Sequence, residues 1–287
     1  MGNVQIITDS TADIPESLTQ ELDIHVVPLK VHFGDETYED GIDLDSAQFY
    51  QKLADSAVMP TTSQPTPYQF EEVYRGIHRT NPDSPLISIH LSANLSGTFQ
   101  SAHLASQTIG DEIPITVIDS KRASYAIGLI VVEVAKLAKQ GASLEVCQSR
   151  IDELLKDTTV LFMVDTMEYL QKNGRIGKAS ALVGSLLKIK PILSLNDDGE
   201  VFPFEKARGN KKAIQRIVNE FHERYGDDPV HVGISHAQAE STANELMERL
   251  KSEFNVSKSV IADIGPVIGT HVGPGALSIS FARSGNQ

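Results

Sequence analysis

The chain has 287 residues, 40% of them hydrophobic and 22% charged, the composition of a folded globular protein with one large or two ordinary domains. Lys plus Arg is 25 and Asp plus Glu is 38, so the net charge of −13 repels phosphate backbones and anionic lipid surfaces and argues against nucleic acid as a partner. The single cysteine, Cys147, excludes an internal disulfide and a thiolate zinc site. The N-terminal MGNVQIITDS has no signal-peptide pattern, and no apolar stretch is long enough to span a bilayer, so a cytoplasmic protein without stable membrane insertion is expected.

In chain order, Val4–Thr8 reads as a buried strand and Pro15–Leu22 as a helix with proline in its first turn. Val26–Phe33 alternates like a strand. Asp45 followed by Gln48 forms a capping-box pattern for a helix from Ser46 to about Ala57. Thr66-Pro67 opens a helix to about Arg79. Leu86–His90 is a strand, Gly97–Ile109 a helix and Ile115–Ile118 a strand, followed by helices near Ala123–Lys139 and Leu144–Lys156.

The pattern changes near residue 157. Val160–Val164 is a strand and Ser180–Leu187 a helix. Ile189–Leu195 and Glu200–Glu205 flank Asn196-Asp197-Asp198-Gly199, a hairpin signal. Lys211–Tyr225 and Ala239–Phe254 are helices, and Val230–Ser235, Val260–Ile264 and Ala276–Phe281 are strands. The predicted fold is α/β with two domains: residues 1–157, a parallel-sheet domain, and residues 158–287, a mixed α/β domain.

Three strands of the first half end in small polar residues: Asp9-Ser10-Thr11, Ser92 to Thr98, and Asp119-Ser120. Ligands of open α/β sheets bind outside the carboxyl ends of the strands, so these loops are the first place to look for a site. A fourth cluster, Thr61 to Pro67, reads as a rigid loop leading into a helix. Helix capping competes with ligand binding as an explanation, with Ser96 before Gly97 and Thr66 before Pro67 as N-caps. Hydroxyls in such loops suit a carboxylate or carbonyl group better than a triphosphate.

Cofactor motifs are missing. Gly174-Arg175-Ile176-Gly177-Lys178 lacks the phosphate-loop spacing, no G-x-G-x-x-G follows the first strand, and none of the nine histidines forms H-E-x-x-H. His271, in the glycine-rich Gly269 to Ala276 expected as a turn before the last strand, is a candidate for a head-group contact. Gly233-Ile234-Ser235-His236-Ala237 is one residue short of a nucleophile elbow. A helix N-cap at Ser235 is the simpler reading, and an esterase-like hydrolase using Ser235 or Ser92 is the rival function. Cys147 sits mid-helix as a packing residue. In Asn173-Gly174-Arg175-Ile176, a glycine C-cap with an exposed Arg competes with an Arg placed at an anion or a partner surface.

Seven segments, in order, resemble one family. They are Ile7 to Asp13, Thr62 to Pro67, Leu95-Ser96-Gly97-Thr98, Val117-Ile118-Asp119-Ser120, Gly174-Arg175-Ile176, Lys190-Pro191-Ile192-Leu193 and His271 to Gly275. Together they are similar to the DegV family of bacterial fatty-acid-binding proteins that serve fatty-acid kinase. The family's usual Gly-Gly-Arg-Ile is here Asn173-Gly174-Arg175-Ile176, and its usual Ser is here Thr66.

The resemblance implies a DegV-like two-domain fold that buries a long-chain fatty acid such as palmitate. It implies no catalytic residue, metal or cofactor of the chain's own. Thr62 and Ser92 are implied as hydrogen-bond partners of the carboxylate, with His271 beside it. Ser63, Ser96, Gly97 and Arg175 are implied as further head-group or partner contacts. The implied role is to present the carboxylate to the ATP-binding subunit of a separate kinase, giving acyl-phosphate for phospholipid synthesis. A carrier of another anionic amphiphile is a further alternative.

Overall fold

The computed structural model describes residues 2–183 and 189–285. The first half supplies strands β1 (Gln5–Asp9), β2 (Ile24–Val27), β3 (Lys30–Phe33), β4 (Glu36–Glu39), β5 (Thr61–Ser63), β6 (Leu86–His90) and β7 (Ile115–Asp119). The second supplies β8 (Thr159–Met163), β9 (Lys190–Leu195), β10 (Val201–Ala207), β11 (Val230–His236), β12 (Val256–Asp263) and β13 (Leu277–Arg283). The helices are α1 (Glu16–Leu22), α2 (Ser46–Asp55), α3 (Pro67–Thr80), α4 (Thr98–Ile109), α5 (Tyr125–Lys139), α6 (Leu144–Asp157), α7 (Glu168–Lys172), α8 (Asn210–Tyr225), α9 (Glu240–Glu253) and α10 (Pro266–Val272).

The fold is mixed α/β. A parallel sheet has the order β2-β1-β6-β7, and a mixed sheet has the order β10-β9-β8-β13-β11-β12. In the mixed sheet only β11 and β12 pair in parallel among the described residues. Each of these sheets is drawn from one side of residue 157.

A third, antiparallel sheet of order β4-β3-β5 was not expected. The predicted strand Val26–Phe33 is two strands because Pro28 has no N–H to donate. The chain leaves the parallel sheet after Val27 and begins the small sheet at Lys30. β4 and β5 are too short to show an alternation, and β5 lies in what reads as a rigid loop. Both capping boxes are present, Asp45 with Gln48 and Thr66 with Gln69. The predicted helix Ser180–Leu187 is a 3-10 helix over Gly177–Leu182, and its remainder, 184–188, lies outside the described residues.

Helix α5 explains how the halves join. It is apolar around most of its circumference, so it must be enclosed on every side. It packs against β1 and β6 of one sheet and β11 and β13 of the other. Its one buried acid, Glu133, accepts hydrogen bonds from His231 Nδ1 (3.0 Å) and Lys258 Nζ (2.8 Å). Burial pushes the Glu133 carboxyl up, but these two partners outweigh it and hold it at about 2. A second cluster crosses residue 157 as well, joining Val31 and Phe33 to Val164, Leu193 and Val267.

Candidate functional site

A cavity opens on the face of the mixed sheet that looks toward the first half of the chain. It holds about 790 Å³ of non-atom space, its mouth included. Phe162 of β8, Leu195 of β9, Leu277 of β13, Leu95 and Val267 give it a largely apolar wall. Apolar walls with a few polar groups are typical of small-molecule sites. Loops at the carboxyl ends of β6 and β7 contribute Ser96, Ala123 and Ser124, in line with the strand-end argument.

The polar groups gather around His271. Its Nε2 is 2.9 Å from Thr62 Oγ1. His271 was expected on a glycine-rich turn; it stands instead on the last turn of α10. Pro266 fits the first turn of that helix, and Gly273, at φ +71°, ends it. Gly269 lets α10 approach α2, since a Cβ there would come within 2.8 Å of Phe49 and Tyr50 side-chain atoms. Burial, reinforced by the nearby Arg175 charge, pushes the His271 imidazole down to about 4, so it is neutral at pH 7. Among the described residues its Nδ1 is buried without a hydrogen-bond partner.

Arg175 faces the cavity rather than bulk water. Its Nε donates to Leu95 O (3.1 Å) and its Nη1 to Asn173 O (2.7 Å). Asn173 Nδ2 in turn donates to Thr270 O (3.0 Å), tying this turn to α10. Gly174, at φ +69°, makes the turn possible. Arg175 therefore presents a cation fixed by carbonyls beside a neutral imidazole and a hydroxyl, a group suited to hold an anionic head.

The other sequence candidates separate. Ser96 lines the cavity, but it is not the N-cap of α4. That cap is Gly97, which makes no side-chain cap bond, and the Ser96 hydroxyl lies 2.9 Å from Thr98 Oγ1. Gly97 is a packing position, where a Cβ would lie 2.9 Å from Gln64 Nε2. Ser92 is fully buried outside the cavity lining, its hydroxyl donating to Gly199 O (2.8 Å) at the tip of the β9–β10 hairpin. The chain turns directly after β6, so Ser92 meets the hairpin and Ser96, one turn on, meets the cavity. Ser63 points away from its neighbour Thr62, as alternate strand residues do, and lies 2.8 Å from His32 Nε2.

Ser235 is neither an N-cap nor on a sharp turn. It is buried within β11, paired with Ala262 and Ser278 on the flanking strands, and α9 begins only at Glu240. A different set has the geometry of a catalytic triad: Ser88 Oγ to His90 Nε2 at 2.6 Å, and His90 Nδ1 to Asp9 Oδ2 at 2.9 Å. All three are fully buried, and the Tyr74 hydroxyl donates to Ser88 Oγ, so this is an internal polar chain. Ser124 and Ser278 also line the cavity and carried no sequence signal. Ser124, at φ +55°, donates its hydroxyl to Asp13 Oδ2 (2.5 Å).

The DegV family model, described as "Uncharacterised protein, DegV family", matches residues 3–284. The chain belongs to the DegV family. It is 39% identical to a DegV domain-containing protein of Halalkalibacterium halodurans, covering 98% of this chain and 99% of the relative. DegV of Bacillus subtilis, described as a fatty acid binding protein, superposes with a TM-score of 0.89 at 37% identity, over 99% of this chain and 100% of that one. A DegV protein of Thermus thermophilus, described by its fatty acid binding, gives 0.89 at 34% identity, over 98% and 99%. Among the described residues of this DegV chain, no helix is long and apolar enough to cross a membrane, and no group of three or more acidic, His or Cys side chains is arranged to hold a metal ion.

Proposed function

We propose that this protein binds one long-chain fatty acid in the cavity and presents its carboxylate to a separate fatty-acid kinase. The observation that carries this reading is the Thr62–His271 pair beside Arg175 on a largely apolar cavity. Fatty acid binding by similar DegV proteins supports it.

The energetics divide the work. Fourteen buried methylenes of a sixteen-carbon chain contribute about 11 kcal/mol gross, at about 0.8 kcal/mol each. Each hydrogen bond to the carboxylate adds roughly 1.5–3 kcal/mol. Association itself costs at least about 4 kcal/mol. The tail thus supplies most of the affinity, and the Thr62 hydroxyl, one N–H of neutral His271 and the Arg175 charge fix where the carboxylate sits.

At that position a carboxylate oxygen attacks the γ-phosphorus of ATP held by the kinase, and ADP leaves. The acyl-phosphate stays in the apolar cavity, protected from water, until an acyltransferase of phospholipid synthesis takes it. The chain itself supplies binding and orientation. We place Ser96 rather than Ser92 beside the head group, because the Ser92 hydroxyl is committed to Gly199.

The test is lipid extraction and mass spectrometry of the natively purified protein and of Thr62→Ala with His271→Ala. One equivalent of fatty acid in the wild type, depleted in the double variant, supports the reading. No copurifying lipid and no binding of added fatty acid overturns it. Kinase presentation is tested separately, by ATP-dependent acyl-phosphate formation on loaded protein with the purified kinase.

A further inference from the structure

The first segment of the family resemblance, Ile7 to Asp13, does not line the cavity. Its polar residues form a second cleft, behind the start of α10. The cleft holds about 1400 Å³ of non-atom space, its mouth included. Asp9 at the end of β1, Asp13 in the following turn and Asp40 are its inner acids. Glu16, Asp45 and Asp263 stand at its exposed rim. No Lys, Arg or His is among its lining residues.

The inner acids differ in what they do. Asp9 accepts from His90 Nδ1, Leu91 N, and the amide and hydroxyl of Thr11. Asp13 accepts from Gly265 N (3.0 Å) and Ser124 Oγ (2.5 Å), one with each oxygen. Asp40 is 5% exposed, and its Oδ2 has no hydrogen-bond partner among the described residues. Ser10 and the Val267 amide serve the Asp40 carboxyl, but its Oδ2 is left without a donor, and a buried carboxylate oxygen so left is costly. The apolar lining of the cleft includes Ile14 and Pro28, and Val26 and Ile42 are exposed beside it.

Among the described residues no group of three or more acids is placed to hold a metal ion. A lining whose charged residues are all acids suits a cation with several N–H donors, and the apolar residues suit a hydrocarbon stem. We propose that this cleft binds an organic cation, a guanidinium or primary ammonium group on a short apolar stem, anchored by Asp40 with Asp45, Asp263 and Glu16 at the rim. The same chemistry is offered by a free amine and by an arginine or lysine side chain of another protein. Asp13 connects this site to the cavity, since its two acceptor bonds reach Ser124 in the cavity wall and the first residue before α10.

The site has a definite pH signature. Burial, with the Asp9 charge adding to it, pushes the Asp40 carboxyl up to about 7, against smaller opposing contributions from Ser10 and the Val267 amide. Burial likewise raises Asp13 well above the ordinary carboxylate range. The titratable groups that interact with Asp40 are the acids Asp9 and Asp13 and the Tyr50 phenol of α2. Binding a cation requires Asp40 ionised, so affinity falls as pH drops through 7, by about tenfold between pH 8 and pH 6 for one proton released.

The experiment is calorimetric titration of the full chain with agmatine, with N-acetyl-arginine amide, and with magnesium chloride alone. Saturable agmatine binding at pH 8 is expected, about tenfold weaker at pH 6 and at least tenfold weaker in Asp40→Asn. Should Asp40→Asn fail to fold, the exposed variants Asp45→Asn and Asp263→Asn carry the test, each expected to weaken binding several-fold. Equal binding of the arginine amide identifies a protein side chain as the source, and agmatine alone a free amine. Absence of saturable binding by both organic probes, affinity unchanged by all three substitutions, or displacement of agmatine by magnesium overturns the proposal.

Discussion

Thr62 and His271 are 209 residues apart in the chain and share a 2.9 Å hydrogen bond. One stands on the last strand of a small antiparallel sheet, the other on the last turn of a short helix. The contact exists because α10 packs against β3 and β5, with glycine at 269 allowing its approach to α2. Removing either partner is expected to cost one carboxylate hydrogen bond, roughly 1.5–3 kcal/mol, or about 10–150-fold in fatty-acid affinity. Displacement of a fluorescent fatty acid from Thr62→Val and from His271→Ala measures this, and a change of less than twofold in both would sink the carboxylate-anchor assignment.

His271 is expected to titrate at about 4 in the empty protein, because burial and the Arg175 charge disfavour imidazolium. A bound carboxylate reverses the local charge balance and should raise that value. The depressed value also has a stability sign: the unfolded chain takes up the proton first, so His271 destabilises the fold as pH falls from about 6.5 toward 4. Imidazole NMR of empty and loaded protein checks both values. Titration near 6.5 when empty would show an open, solvated site instead.

Gly269→Ala places a Cβ 2.7–2.8 Å from Phe49 and Tyr50 side-chain atoms. Such overpacking costs about 1–3 kcal/mol, and the expected relief is a shift of α10 that carries His271 away from Thr62. Denaturant unfolding should show the lost stability and fatty-acid titration the lost affinity. Wild-type behaviour in both would mean that the α2–α10 contact does not position the site.

Val160 and Leu195 lie on the cavity wall contributed by β8 and β9. Leu195→Phe is expected to reduce the space left for the tail and shift the copurifying acids toward shorter chains. Mass spectrometry of the extracted lipid reads this out, and an unchanged chain-length profile would place the tail elsewhere.

Glu133 joins the halves through His231 and Lys258. Glu133→Ala leaves Lys258 and its neighbours without the acid and is expected to cost about 3–5 kcal/mol. Since the folded Glu133 carboxyl sits at about 2, its contribution is present above the unfolded value near 4.5 and lost as pH falls toward 2. Urea unfolding at pH 7 and pH 3 tests this, with the gap between wild type and variant narrowing at the lower pH. An equal gap at both would assign the loss to packing alone.

Most elements were legible locally. Hydrophobic periodicity located α3, α4, α5, α6, α8 and α9, and the Asp45 and Thr66 caps marked two helix starts. What failed was short or depended on distant partners. β4 and β5 span four and three residues and become strands only by pairing with β3. α10 has seven residues, and its glycines, read alone, resemble a turn.

Periodicity was enough for the α/β class and for the strand-end loops that carry the polar groups, and seven ordered segments, specific together where each alone is not, were enough for the family. Which hydroxyls meet depends on packing between remote segments. Thr62 and Ser63 are chemical near-equals in one strand, and its pleat sends the first to His271 and the second to His32. Ser92 and Ser96 share one loop, and the hairpin at Gly199 takes the first and leaves the second for the cavity. Local sequence sets which groups are available, but neighbours supplied by remote segments determine which of them are free to bind.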